Sequence, residues 1–97
     1  MADYIVTNKR QSLAEIRQWD FDFSDDLADG VTVASATATH VPPSGSASTP
    51  TVGSISNNIV PVVLGTLSVT GVHYLDVLAT LSNNEKSEIR LVIRVEF

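Results

Sequence analysis

The closing stretch Glu88-Ile89-Arg90-Leu91-Val92-Ile93-Arg94-Val95-Glu96-Phe97 decides the class of fold. Ile89, Leu91, Ile93, Val95 and Phe97 share one parity, while Arg90, Arg94 and Glu96 occupy the other. Side chains of a strand alternate between faces, so this pattern predicts a long half-buried strand with its apolar face on a core. Ser82-Asn83-Asn84-Glu85 ahead of it reads as a hairpin turn. Before that turn, Leu75, Val77, Ala79 and Leu81 repeat the alternation. Two long strands joined by a tight turn predict an antiparallel all-β domain.

Outward from this hairpin the same signals recur. Tyr4 to Thr7 is expected as a first strand stopped by Asn8, and Ser12 to Arg17 begins a second. Trp19, Phe21 and Phe23 alternate with Asp20 and Asp22, which puts three aromatics on one side, the side expected to face the core. Asp25-Asp26-Leu27-Ala28-Asp29-Gly30 is a tight turn, with Leu27 tucked beneath it as a plug and Gly30 at its exit supplying a positive φ. Val31 to Thr39, rich in β-branched and small residues, is the third strand. Positions 40–53 are polar and Pro-rich and read as an exposed, flexible loop. Thr51 to Ile55 is a short strand, Asn57-Asn58 a turn, and Ile59 to Val69 a further strand region. Pro61 lacks an amide donor and is expected at an edge or a bulge. No repeat and no helix longer than a turn or two is evident. About seven short strands separated by turns predict a single antiparallel β-sandwich domain over residues 1–97.

At 97 residues and 43% hydrophobic content, the chain builds one core of limited size. There are no cysteines, which points to a reducing site of synthesis, and docking or self-association would offset the small core. The net charge of −5 and the scatter of Lys9, Arg10, Arg17, Lys86, Arg90 and Arg94 argue against nucleic-acid binding, which starts from cations on phosphates. The longest apolar run, Ile59 to Leu64, is too short for a bilayer, and the first residues lack the pattern of a signal peptide.

The search for chemistry returns little. Asp20, Asp22, Asp25, Asp26 and Asp29 are the one cluster of ligand-type groups, but calcium needs about six to eight oxygens around a point and the spacing is not that of an EF-hand loop. A solvated strand face and turn account for these residues. His40 and His73 stand alone without metal-ligand spacing, and His73 is expected to cap a strand end. No nucleophile elbow or phosphate loop is present. An acid pair of glycosidase type would lack the walls of a sugar groove in so small a domain. The expectation is therefore a non-enzyme with no catalytic, cofactor or metal residues. Two segments are suited to partner contact. Tyr4, Ile5 and Val6 belong to a strand able to pair with a neighbour's sheet edge. Val41, Pro42, Pro43, Thr49 and Pro50 lie in a loop able to order on a partner.

Leu67-x-x-x-Gly71-x-x-Tyr74 looks like the tyrosine corner of immunoglobulin-like and fibronectin-type domains, in which a Tyr hydroxyl ties a crossover to nearby backbone. The apolar parity after Tyr74 is the opposite one, so this reading requires a bulge just past it. Together with Asp3-Tyr4-Ile5-Val6, the run from Trp19 through Leu27 and Gly30 to Val33-Ala34-Ser35-Ala36, and a strand ending at Val95, the chain resembles small immunoglobulin-like virion structural proteins of tailed bacteriophages over nearly its full length. It departs from them at Ala38, where a bulky residue is common, and in a Ser82–Glu85 turn without Gly. The resemblance implies an immunoglobulin-like sandwich with Trp19, Leu27, Gly30, Gly71 and Tyr74 determining the fold. It also implies a role without catalysis or cofactor: decorating or cementing the capsid, or serving as a neck or tail adaptor. The partners implied are other virion proteins, namely major capsid or connector and tail subunits. Self-association is compatible with this role, and no nucleic acid or membrane is involved. The site of assembly implied is the bacterial host cytoplasm and the final location the virion. A carbohydrate- or cell-surface-binding module is the alternative, requiring Trp19 or Tyr74 exposed beside Asp side chains.

Overall fold

A computed structural model describes residues 5–96. Among the described residues seven strands run β1 (Ile5–Ser12), β2 (Arg17–Asp22), β3 (Val33–Val41), β4 (Thr51–Val52), β5 (Ile59–Leu64), β6 (Gly71–Leu81) and β7 (Lys86–Glu96), with one 3-10 turn at Ser24–Asp26. They form a four-stranded sheet ordered β1-β7-β6-β3 and a three-stranded sheet ordered β2-β5-β4. All pairings are antiparallel except β1 with β7, which is parallel from Ile5↔Ile89 to Ser12↔Glu96. The all-β expectation and the β6–β7 hairpin hold, and the alternation in β7 is the alternation of its burial.

The core lies between the two sheets. Phe21, Val60, Val62 and Leu64 enter it from the three-stranded side, and Val33, Leu75, Val77, Ala79, Leu81, Ile89, Leu91, Ile93 and Val95 from the other. Phe23 is 1% exposed just beyond β2, and each such fully buried side chain contributes about 1.5–3 kcal/mol through removal of apolar surface from water. Trp19, Leu27 and Val31 are partly buried against this cluster, so the aromatic row faces inward and Leu27 packs toward the core. Gly30 closes that turn at φ +79°, a left-handed conformation that L side chains rarely adopt.

Asn57 and Asn58 both adopt positive φ, 53° and 64°, in a two-residue hairpin loop between Ser56 and Ile59. Asn is favoured there because its short polar side chain tolerates the left-handed region. Asn58 also joins the layers: its Oδ1 accepts from the Val33 amide at 3.0 Å and its carbonyl from the Phe23 amide at 3.0 Å. In the Ser82–Glu85 turn Asn84, at φ 70°, takes the role of the missing Gly.

Four expectations are corrected. Asn8 does not stop β1, which continues to Ser12 along β7. The second strand starts at Arg17 rather than Ser12. Strand character after Ile59 ends at Leu64, short of Val69. Pro61 lies in β5, the middle strand of its sheet and not an edge. It is tolerated because its carbonyl, which accepts from Gly53 at 2.8 Å, and its donor-less nitrogen face the side where β4 ends at Val52. The amide that Pro61 lacks is the one that would have extended that ladder.

Candidate functional site

Gly71 to Tyr74 is where sequence and structure differ most. The register of β6 on β7 is unbroken from Gly71↔Val95 to Thr80↔Lys86, so there is no bulge after Tyr74. Tyr74 consequently lies on the outer face of the four-stranded sheet, and the tyrosine-corner reading is corrected. His73 takes the inward position, 1% exposed, and its Nε2 sits 2.8 Å from the Val69 carbonyl. A histidine thus ties the crossover to the backbone four residues upstream.

His73 is not alone. Its Nδ1 lies 2.8 Å from Nε2 of His40, a residue 4% exposed on β3. The ring planes differ by 7°. The N···N distance is shorter than the about 3.5 Å at which ring faces touch, so the bond runs in the plane of the rings. The Ser48 amide donates to His40 Nδ1 at 2.9 Å. An amide can only donate, so His40 Nδ1 is an acceptor and its proton sits on Nε2. That proton is donated to His73 Nδ1, and His73 Nε2–H then donates to Val69. One amide therefore fixes both tautomers. Burial, then the neighbouring His73, pushes the pKa of His40 down, which keeps it neutral. The relay fastens the segment after β3 to the β5–β6 crossover. The segment containing Pro42, Pro43, Thr49 and Pro50 is thereby held at Ser48. Pro43 also lies beside Gly71, where an added Cβ would meet its Cγ at 3.4 Å.

The outer face of the four-stranded sheet is the second feature. Arg90 donates from Nε and Nη2 to the two carboxylate oxygens of Asp76 at 2.7 and 2.8 Å, and its guanidinium lies 4.2 Å from the Tyr74 ring centroid. Val41 and Val72 are exposed on this sheet. Near Val72 a groove of about 320 Å³ is lined by Lys9, Arg10, Val92 and Arg94. A second groove, of about 230 Å³, opens between the sheets at Trp19, Phe21, Ile89 and Leu91, with Lys9, Asp20 and Asp22 at its rim. Trp19 is half-buried there, and its indole N–H donates to Gln11 Oε1 at 3.2 Å.

Of the residues singled out for partner contact, Tyr4 lies outside the described residues. Ile5 and Val6 have their backbone on β7 of their own chain, which leaves the other side of β1 as a sheet edge. Val41 ends β3 on the outer face, and the proline-bearing segment follows it directly. The acidic residues do not converge: among the described residues no group of three or more His, Cys, Asp or Glu is placed to hold a metal ion. Asp22 instead accepts from the Ser24 hydroxyl and amide, which pulls its pKa down. No helix among the described residues is long and apolar enough to cross a membrane.

Sequence reading missed the histidine pair. The signal was the parity of His73, which matches Leu75 and Val77. Its partner on β3 depended on a strand register that the sequence does not print. No protein-family model matches the chain, and no curated protein matches it in sequence.

Proposed function

We propose that this chain is an immunoglobulin-like β-sandwich that works by docking to other proteins, as a non-enzymatic virion structural protein of a tailed bacteriophage that decorates or cements the head. The observation that carries the reading is the strand order. A β1-β7-β6-β3 sheet over a β2-β5-β4 sheet, with the first strand parallel to the last, is compatible with the Greek-key sandwich of immunoglobulin-like domains. It also agrees with the family resemblance in the sequence, although the corner is closed by His73 instead of Tyr74. Exposed Val41 and Val72 on one sheet face supply apolar contact area of the kind an assembly surface uses.

The test is the number of copies per purified particle of the phage encoding the chain, by quantitative mass spectrometry. Hundreds of copies support capsid decoration. A dozen to a few dozen move the protein to the neck or tail, and none removes the virion reading. A sugar-binding module is less well supported, because Trp19 is half-buried with its N–H already bonded to Gln11.

A further inference from the structure

The groove at Arg10 and Arg94 combines features that the sandwich does not need. Arg10 and Arg94 are direct cross-strand partners of the parallel β1–β7 pair. Like charges placed opposite one another destabilise a sheet. Their relief is slight: Arg10 reaches Glu96 at 3.7 Å with both side chains largely in solvent, and the Arg94 guanidinium has no ion-pair partner among the described residues. Beside Arg94 lie Val92, two residues back on β7, and Val72, its partner on β6, the latter 37% exposed. The result is a cationic, apolar-floored groove on a protein whose net charge is −5.

The charges of the chain are sorted by end. The groove end holds Lys9, Arg10, Arg17 and Arg94, four of the six basic residues, with Glu15 and Glu96. Glu15 is engaged by Arg17 at 2.6 Å. The other end is formed by the β2–β3 connection, which is hydrogen-bonded to the β6–β7 turn through Ser82 N to Thr32 O at 2.8 Å. It carries exposed Asp25, Asp29 and Glu85, together with Glu88 and Lys86, while Asp20 and Asp22 lie between the ends, on the rim of the groove they share with Lys9. Along β6 the ends are about 30 Å apart, at about 3.3 Å per strand residue.

We infer that the Arg10–Arg94 groove receives the acidic Ser24–Asp29 turn of a second copy of this chain, in a head-to-tail association. The two complementary surfaces lie at opposite ends of one molecule, so they cannot meet within it. A heterologous contact of this kind propagates as an open chain or closes as a ring, depending on the rotation between copies. The carboxylates of Asp25 and Asp29 supply the anions that Arg94 lacks. The groove-end and turn-end surfaces are both used once per copy. This association goes beyond the virion reading and stands or falls independently of it.

Sedimentation velocity of the purified chain tests it, at rising concentration in about 20 mM and about 0.5 M salt, where screening lengths differ several-fold. The expected result is a sedimentation coefficient that climbs with concentration at low salt, past the dimer, and stays monomeric at high salt. The double variants Arg10→Gln/Arg94→Gln and Asp25→Asn/Asp29→Asn, each checked for wild-type circular dichroism and Tm, are each expected to be monomeric. Mixed in equal amounts, they are expected to form a 1:1 dimer that grows no further, because each retains one working end. A wild-type chain monomeric at low salt, a variant that still associates alone, or a mixture that stays monomeric overturns the inference. A monomeric wild type that binds a hexa-aspartate peptide through Arg94 also overturns it, and assigns the groove to a different acidic protein.

Discussion

His40 Nε2 and His73 Nδ1 sit 2.8 Å apart in a chain of hydrogen bonds that begins at an amide donor and ends at a carbonyl acceptor. Such a chain has one direction. Protonating His40 at Nδ1 would set an N–H against the Ser48 N–H, so the fold holds this ring in its neutral form.

Stability should therefore depend on pH in a defined window. The pKa of His40 is lowered in the folded chain, first by burial and then by His73, while in the unfolded chain it returns to about 6.5. Below about 6.5 the unfolded chain takes up a proton that the folded chain refuses, so stability is full above that value and declines as pH falls toward the folded pKa. Urea midpoints measured from pH 8 to pH 5 should drop through this range, and His40→Phe should flatten the drop. Asp22 and Glu15, both held below the ordinary carboxylate range, add a loss in the same direction at more acidic pH.

Removing one link of the buried relay should cost measurable stability. His73→Leu strands the His40 Nε2 proton in the interior, at about 1–3 kcal/mol for an unsatisfied buried group, and takes the donor from the part-buried Val69 carbonyl. Chemical denaturation measures this. Limited proteolysis should show the Pro42–Pro50 segment cut sooner than in the wild type, because Ser48 loses a properly oriented acceptor.

Gly53 should tolerate no side chain while Pro61 is present. A Cβ at Gly53 would lie 3.1 Å from Pro61 Cγ, and a proline ring cannot swing away as a flexible chain can. Gly53→Ala is expected to cost about 1–3 kcal/mol by overpacking. The double variant Gly53→Ala/Pro61→Ala should recover most of that loss, a non-additivity read by a thermal double-mutant cycle.

The two asparagines of the β4–β5 turn should behave differently. Asn57→Gly relaxes a left-handed residue and is expected to be neutral or slightly stabilising. Asn58→Gly keeps the backbone conformation but deletes the acceptor for the Val33 amide, which lowers stability by about 1 kcal/mol or more. Melting temperatures of the two variants separate the backbone role from the bridging one.

On the outer face, Arg90→Met should destabilise the chain by about 1–3 kcal/mol, since it removes a bidentate charge-assisted pair from Asp76, whose side chain is only 14% exposed. The loss should persist at high salt, because a partly buried pair is screened little. Arg10→Ala, whose 3.7 Å contact with Glu96 lies in solvent, should leave the Tm of the monomer nearly unchanged.

The sequence by itself determined what periodicity and backbone chemistry carry. The alternation from Ile89 to Val95 and from Leu75 to Leu81 specified two half-buried strands, because a strand has a period of two and only one face can reach the core. Gly30, Asn57, Asn58 and Asn84 marked turns, because few residues accept positive φ. The aromatic row through Phe21 and Phe23 marked the opposing layer for the same reason as the alternation. Tertiary structure alone decided which strand lies beside which, and everything that follows from register. It paired His40 with a histidine 33 positions away, turned Tyr74 outward by keeping the ladder unbroken, placed Pro61 in a central strand beside a strand that stops, and set Arg10 opposite Arg94. Pairing energies are spread over many backbone hydrogen bonds that look alike in any register. The choice among registers rests on how all the side chains fill one core together, a property no single segment carries.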